Sequence, residues 1–189
     1  STDPEFAPTR SITPDLLIEG TEPDEQWTPG AGHDPALIQF SSGSTGDPKG
    51  IILTHHNILS NVAAIVQRLG VESHDVVFSW MPLYHDMGLF GFHMGTMLAS
   101  ARQVLMSPLS FIKRPLRWIA EMSETRTTMS GSPNFGYARV ARAARPAKIQ
   151  GIDLRSVRCL IHGAEPINLN VLEEFFCALE PTGLARNSV

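Results

Sequence analysis

The chain has 189 residues, 42% of them hydrophobic, enough to bury a core as one large domain or two small ones. Its formal net charge is −4, and no cluster of lysine and arginine is long enough to form a nucleic-acid stripe, so no DNA or RNA partner is expected. Cys159 and Cys177 show no metal or redox spacing and read as two buried thiols in a reducing compartment.

No apolar run approaches the roughly 20 residues of a membrane helix, and the polar start "STDPEFAPTR" lacks a signal-peptide core. A cytoplasmic protein without a membrane span is expected. Residues 1–10 read as a tag scar or linker, and residues 11–35, rich in proline, glycine and acid, as an irregular segment. The ordered domain is expected over 36–189.

From Ala36, short apolar runs alternate with longer amphipathic ones. Strand "ALIQF" is followed by a loop, strand "GIILT", helix 56–69, strand "DVVFSW", helix 87–99 and strand "QVLM". Helix 114–125, strand "TTMSG", helix 133–145, strand "VRCLIHG" and helix 168–179 complete the series. In the first helix Ile58, Leu59, Val62, Ile65, Val66 and Leu69 recur at three- and four-residue intervals, and Gly70 supplies the stop. The apolarity of "VRCLI" suits a strand buried on both sides. The pattern predicts an α/β fold, a mostly parallel sheet with helices on both faces.

The densest chemistry sits in "SSGSTGDPKG", residues 41–50, between the first two strands. Glycines let successive N–H groups turn toward one point, hydroxyls add donors, and Lys49 adds charge, which together suit an anion. It is not a Walker loop: counted from Gly43, Pro48 stands where the second glycine belongs, and Gly50 where a hydroxyl should follow Lys49. Nor is it a nucleophile elbow, because Gly43 directly precedes Ser44. A flexible Gly/Ser turn is the plain alternative.

With the following "IILTHHNILSN", this stretch resembles the phosphate-binding signature of the adenylate-forming superfamily: acyl-CoA synthetases, adenylation domains of peptide synthetases, luciferases and fatty acyl-AMP ligases. Three further segments support the resemblance in order, over roughly residues 36–180. "SWMPLYHDMGLFG" resembles the stretch whose aromatic-His pair borders the carboxylate pocket, which implies that Tyr84, His85 and Gly88 face the acyl substrate and that the next helix lines its tunnel. Amino-acid-activating relatives usually carry aspartate at the position of His85. Histidine there favours a substrate without an α-amino group, although Asp86 stands next door. Without the resemblance, His85–Asp86 reads as a hydrogen-bonded pair at a strand end.

The segment "FIKRPLRWIAEMSETRTTMSGSPNFGYARV" is similar to fatty acyl-AMP ligases and acyl-activating loading domains. It implies that Ser132, Pro133, Asn134, Phe135 and Tyr137 form part of the acyl-tunnel wall. Phe135 and Tyr137 read alone as core aromatics. In "IDLRSVRCLIHGAEP" the resemblance implies that Gly163, Ala164 and Glu165 lie against the adenine ring; Glu165 also reads as a helix-entry carboxylate.

The resemblance implies ATP-dependent activation of a carboxylate, with pyrophosphate released and the acyl group handed to a thiol. Ser42, Gly43, Ser44, Thr45 and Gly46 would cradle the β- and γ-phosphates, Lys49 would neutralise them, Mg²⁺ would bridge them, and His85 would border the carboxylate. The substrate implied is a medium- or long-chain fatty acid, and the acceptor coenzyme A or an acyl carrier protein. No H-E-x-x-H arrangement is present, and no protein-held metal is expected. The family's later motifs are missing after Glu165, so a middle slice of a longer enzyme is expected, inactive alone and exposing apolar surface through which it could self-associate. A non-catalytic nucleotide- or acyl-binding module, an amino-acid-activating domain and, least of all, a P-loop NTPase are the competing readings.

Overall fold

A computed structural model of the chain describes residues 30–41 and 49–188. Strands β1 (Pro35–Ser41) and β2 (Lys49–Thr54) pair antiparallel, with Ile38 opposite Ile52 and Phe40 opposite Gly50. They form a ribbon separate from the main sheet. This departs from a single largely parallel sheet, and the reason is length: parallel neighbours need a crossover of about a dozen residues or more, whereas residues 42–48 suffice only for a hairpin. The ribbon's outer face, Ile38, Phe40 and Ile52, is exposed.

Helix α1 (His55–Leu69) follows β2 without a linking residue. The Thr54 hydroxyl accepts from the Asn57 N–H while the Asn57 side chain accepts from the Thr54 N–H, a reciprocal cap. Gly70 ends the helix at φ 56°, the left-handed conformation glycine adopts without a Cβ penalty. Only Ile58 and Val62 of its apolar set are fully buried, and Leu59 is exposed.

Four further strands among the described residues form a parallel sheet: β3 (Val76–Ser79), β4 (Arg102–Leu105), β5 (Met129–Ser132) and β6 (Cys159–His162), in the order β4-β3-β5-β6. The chain passes from β3 to β4 on one side, then returns to place β5 on the other. The carboxyl ends of β3 and β5 therefore flank a topological switch point, where open α/β sheets bind ligands. A π-helical segment (Met87–Met94) running into α2 (Gly95–Leu98) replaces the single helix expected over 87–99. Helices α3 (Pro108–Lys113) and α4 (Leu116–Glu124) follow β4, divided where Pro115 forces Arg114 out of the helical region, to φ −139°. Helices α5 (Asn134–Ala143), α6 (Pro146–Ile149) and α7 (Leu169–Leu179) complete the cover.

The alternation of strand side chains divides the helices between the two faces. On one, the fully buried Trp118 donates its indole N–H to Ser130 Oγ at 2.9 Å and packs with Tyr137 and Phe175, joining α4, α5 and α7. On the other, Gly131 meets Phe92 of the π-helical segment so closely that an added Cβ would lie 2.4 Å from the Ile161 carbonyl oxygen.

Strand β6 is less buried than its apolarity predicts. Only Leu160 is fully enclosed, because β6 is the last strand of the sheet. The two cysteines are not both buried either. Cys159 is half-buried, and Cys177 is exposed because α7 turns Leu172, Phe175, Phe176 and Leu179 inward instead. Both are free thiols.

Below the sheet, the buried Asp75 ties three elements together. Arg158 donates Nε to Oδ1 at 2.9 Å and Nη2 to Oδ2 at 2.6 Å, while the Thr128 hydroxyl and the Glu72 N–H complete the ring of donors. Burial alone would raise this carboxyl, but Arg158 and the other donors hold it well below the usual carboxylate range.

Candidate functional site

Three segments meet above the carboxyl ends of β3, β5 and β6. After β3 the chain turns so that the His85 N–H donates to the Pro82 carbonyl. Asp86 caps the π-helical segment, its Oδ1 2.6 Å from the Met87 N–H and 2.7 Å from His85 Nδ1. The same Nδ1 lies 3.2 Å from the Met87 N–H: with Nδ1 protonated the ring donates to Asp86, and with Nδ1 bare it accepts from Met87. The His85 side chain remains 40% exposed. Tyr84 projects outward, 88% exposed. Gly88 is buried where an added Cβ would stand 2.2 Å from the Pro82 carbonyl oxygen, so this turn admits no other residue without moving.

After β5, Asn134 opens α5 and fastens the next loop. Its Oδ1 accepts from His162 Nε2 at 2.7 Å and from the Asn168 N–H at 2.9 Å, and its Nδ2 donates to the Pro166 carbonyl. His162 Nδ1 is buried without a partner, and desolvation holds the ring's pKa below the ordinary histidine value although Glu165 opposes the shift. Glu165 accepts the Asn134 backbone N–H at 2.7 Å, so it is a helix-entry carboxylate, serving α5 across the gap. The turn before it is nearly bare of side chains: a Cβ added at Gly163 would meet only Met87, and Ala164 is exposed at φ 68°. That conformation is uncommon for a residue with a Cβ.

Phe135 is exposed on one edge and packs against Trp80, which stacks on Phe111 with centroids 3.9 Å apart. Tyr137 is wholly buried, donates to the Ile161 carbonyl and stacks on His162. Of its two readings, core aromatic accords with this position, and burial pushes its phenol far above the usual tyrosine value. Ser132 and Pro133 are likewise buried.

Beside these loops runs an open cleft of about 600 Å³, lined mainly by Ala64, Ile65, Leu69, Met87, Phe90, Phe92 and Ile161, with Asn61, Arg68, Asp86 and Ala164 supplying polar groups and backbone. A smaller hollow of about 290 Å³ adjoins it through the shared residues Asn61, Asp86 and Phe90, and reaches Gln39 and Leu53 of the ribbon. Asp86 thus stands where the two meet, beside His85. Lys49 lies exposed at the start of β2. Ser42, Gly43, Ser44, Thr45 and Gly46 lie outside the described residues.

The structure therefore sets Asp86 and Ala164 in the wall of the cleft, with His85 bonded to Asp86 beside it, and buries Gly88 and Tyr137. The wall contributed by α1 was not anticipated. Its signal was present: Asn61, Ala64 and Arg68 repeat at helical spacing beside Ile65 and Leu69, which were read as core and also line the cleft.

A parallel α/β sheet with an apolar cleft between α1, the π-helical segment and β6 describes the class, and the comparisons give the family. The family model for AMP-binding enzymes matches residues 4–184. The chain belongs to the AMP-binding enzyme family, and its fold is that of part of the N-terminal domain of adenylate-forming enzymes. It is 38% identical over 157 residues to the medium-chain-fatty-acid (acyl-carrier-protein) ligase TtuA of Teredinibacter turnerae, covering 82% of this chain and 24% of that protein. It is 35% identical over 159 residues to the long-chain-fatty-acid AMP ligase FadD32 of Mycobacterium marinum, covering 82% and 25%. Among solved structures, a fatty acyl-adenylate ligase from L. pneumophila in complex with acyl adenylate and pyrophosphate superposes with a TM-score of 0.81 at 35% identity, over 86% of this chain and 29% of that one. The adenylation domain of a keto acid-selecting peptide synthetase module superposes at 0.80 with 30% identity, over 90% and 30%. The chain thus spans about a quarter of the length of the curated relatives it matches.

Proposed function

We propose that this chain supplies one wall of an acyl-activating ligase, which joins a medium- or long-chain fatty acid to the α-phosphate of ATP, releases pyrophosphate, and passes the acyl group to a thiol. The observation that carries the reading is the apolar cleft with the His85–Asp86 pair at its polar mouth. Apolar side chains suit a hydrocarbon tail. His85, held through Nδ1 by Asp86 and the Met87 N–H, keeps Nε2 for the head group, and a protonated ring donates to a carboxylate.

Both reactants are anions, so positive charge and N–H donors aimed at them supply most of the acceleration. In this reading Lys49, exposed at the start of β2, supplies that charge, with Ser42 to Gly46 as the phosphate cradle. The exposed Gly163–Ala164 turn fits close approach of a flat purine, and Glu165, already satisfied at α5, acts there by fixing the loop. Among the described residues no group of three histidine, cysteine or acidic side chains could hold a metal. Mg²⁺ suits such a site when it is held by phosphates and water and neutralises their charge. Residues 36–189 form the adenylating part, with 11–35 leading in. The relatives' names support a carrier protein ahead of coenzyme A as acceptor. Among the described residues no helix is long and apolar enough to cross a membrane. A cytoplasmic setting, supported by the two free thiols, completes the reading.

Pyrophosphate release, measured on the full reading frame that contains these residues with ATP and a panel of fatty and amino acids, tests the proposal. Fatty acids are expected to stimulate release, with His85→Ala and Lys49→Ala each reducing it about 10²–10³-fold. Release with amino acids alone would support the second reading, in which the Asp86 carboxylate pairs with a substrate ammonium. No release with either would leave only a binding module.

A further inference from the structure

Charge on this chain is segregated. Residues 113–148 hold eight of the 15 basic residues but only two of the 19 acidic ones, a balance of +6, and the rest of the chain therefore carries −10. The structure gathers five of these cations into one ridge. Arg139 Nη2 donates to the Ile112 carbonyl at 2.8 Å, which locks the middle of α5 to the end of α3 and sets Arg139 beside Lys113 and Arg114. Arg142 lies about one turn further along α5. Arg145 folds back onto the carbonyls of Arg142 and Ala144, each at 2.8 Å.

All five are exposed, and none forms an ion pair with a described carboxylate. Arg117, Arg155, Arg158 and Arg186, by contrast, each have one. Guanidinium groups held by carbonyls keep free N–H forks in a fixed direction and lose little further freedom on binding. The ridge is a preset acceptor for carboxylates.

Of that −10 only −3 falls on described residues, whose six other cations include three already paired with carboxylates. A nucleic acid or an anionic membrane calls for a longer run of free cations, whereas a compact acidic protein matches a ridge of this length. Helix α5 begins at Asn134 in the site and reaches Arg142 about 12 Å further along its axis, a span suited to a partner whose thiol hangs on a flexible arm.

We propose that the ridge of Lys113, Arg114, Arg139, Arg142 and Arg145 docks an acidic carrier protein whose thiol arm takes the acyl group; the thiol step rests on the acyl-activating reading of the cleft. The test uses the full reading frame, a strongly acidic bacterial holo acyl carrier protein, free pantetheine, and phosphatidylglycerol vesicles. The triple variant Lys113→Glu, Arg114→Glu and Arg142→Glu is compared with Lys113→Arg, Arg114→Lys and Arg142→Lys. Charge reversal is expected to lower carrier affinity and kcat/KM for carrier acylation by about tenfold or more at low salt. The loss should shrink at high salt, and pyrophosphate release, transfer to pantetheine and melting temperature should hold. The charge-preserving triple variant should behave as wild type. Unchanged carrier binding, equal losses for carrier and pantetheine, or a loss of vesicle binding alone overturns the proposal. If the unsubstituted protein releases no pyrophosphate, the acyl-activating reading fails, while carrier binding and its response to charge reversal still decide the ridge.

Discussion

Replacing Asp75 with asparagine tests the electrostatics of the fold most directly. Both carboxylate oxygens accept two donors: Oδ1 takes Arg158 Nε and the Thr128 hydroxyl, and Oδ2 takes Arg158 Nη2 and the Glu72 N–H. Whichever way an asparagine turns, its NH₂ faces two donors, and the guanidinium loses its counter-charge. Breaking a fully buried pair costs about 3–5 kcal/mol. Here the Asp75 side chain is fully buried but that of Arg158 is 40% exposed, so solvent returns part of the loss and about 2–3 kcal/mol is expected. For a chain of this size that lowers Tm by about 5–10 °C, read by circular dichroism.

The pH dependence has a definite sign. Asp75 is depressed in the folded state, so its contribution is complete above the unfolded carboxylate value and fades as pH falls below about 4. The asparagine variant does not titrate at this position. The gap between the two proteins should be full at pH 7 and narrow on acidification. A loss under about 1 kcal/mol at neutral pH, or a gap that widens in acid, would refute the reasoning.

Three further outcomes are expected. Gly88→Ala drives a Cβ to within 2.2 Å of the Pro82 carbonyl oxygen, so the π-helical segment must shift; a stability loss of about 3 kcal/mol or more should appear in urea unfolding. Asn134→Ala removes three side-chain hydrogen bonds to His162, Pro166 and Asn168, and should cost about 2–3 kcal/mol, with faster hydrogen exchange confined to residues 163–168 and the start of α5. Asp86→Ala frees both the Met87 N–H and the His85 ring, so kcat for pyrophosphate release should fall about 10–100-fold while KM for the fatty acid holds; an equal rise in KM would mean that Asp86 contacts substrate instead.

The alternation of short apolar and longer amphipathic runs made the parallel sheet and its helices readable, since each period of two or near 3.6 leaves its own trace. Gly70 marked the end of α1 through chemistry that acts within a few residues, whereas Thr54, read only as the last residue of a strand, also caps the helix start. Long-range geometry left less trace. The necessity of Gly88 lies in the approach of Pro82, and Tyr137, although read as a core aromatic, finds its stacking partner His162 on strand β6. Asn134 reads as a plain polar residue until β6 brings its partners alongside. The ribbon was misplaced because local propensity distinguishes strand from helix but says nothing about which sheet a strand joins. His85, Asp86 and the Gly163–Glu165 turn were singled out through the family resemblance of their segments; read alone, His85–Asp86 is the hydrogen-bonded pair after a strand that the structure shows.

The junction at Thr54 has a mechanical meaning. One residue ends β2 and caps α1, so ribbon and helix turn together like the arm and shaft of a crank. The free end of the arm is Lys49, and the shaft carries Asn61, Ala64, Ile65 and Arg68, the near wall of the cleft. On the proposed reading, a pull on the lysine would bear on that wall through a single capped junction, coupling the grip on one reactant to the room available for the other.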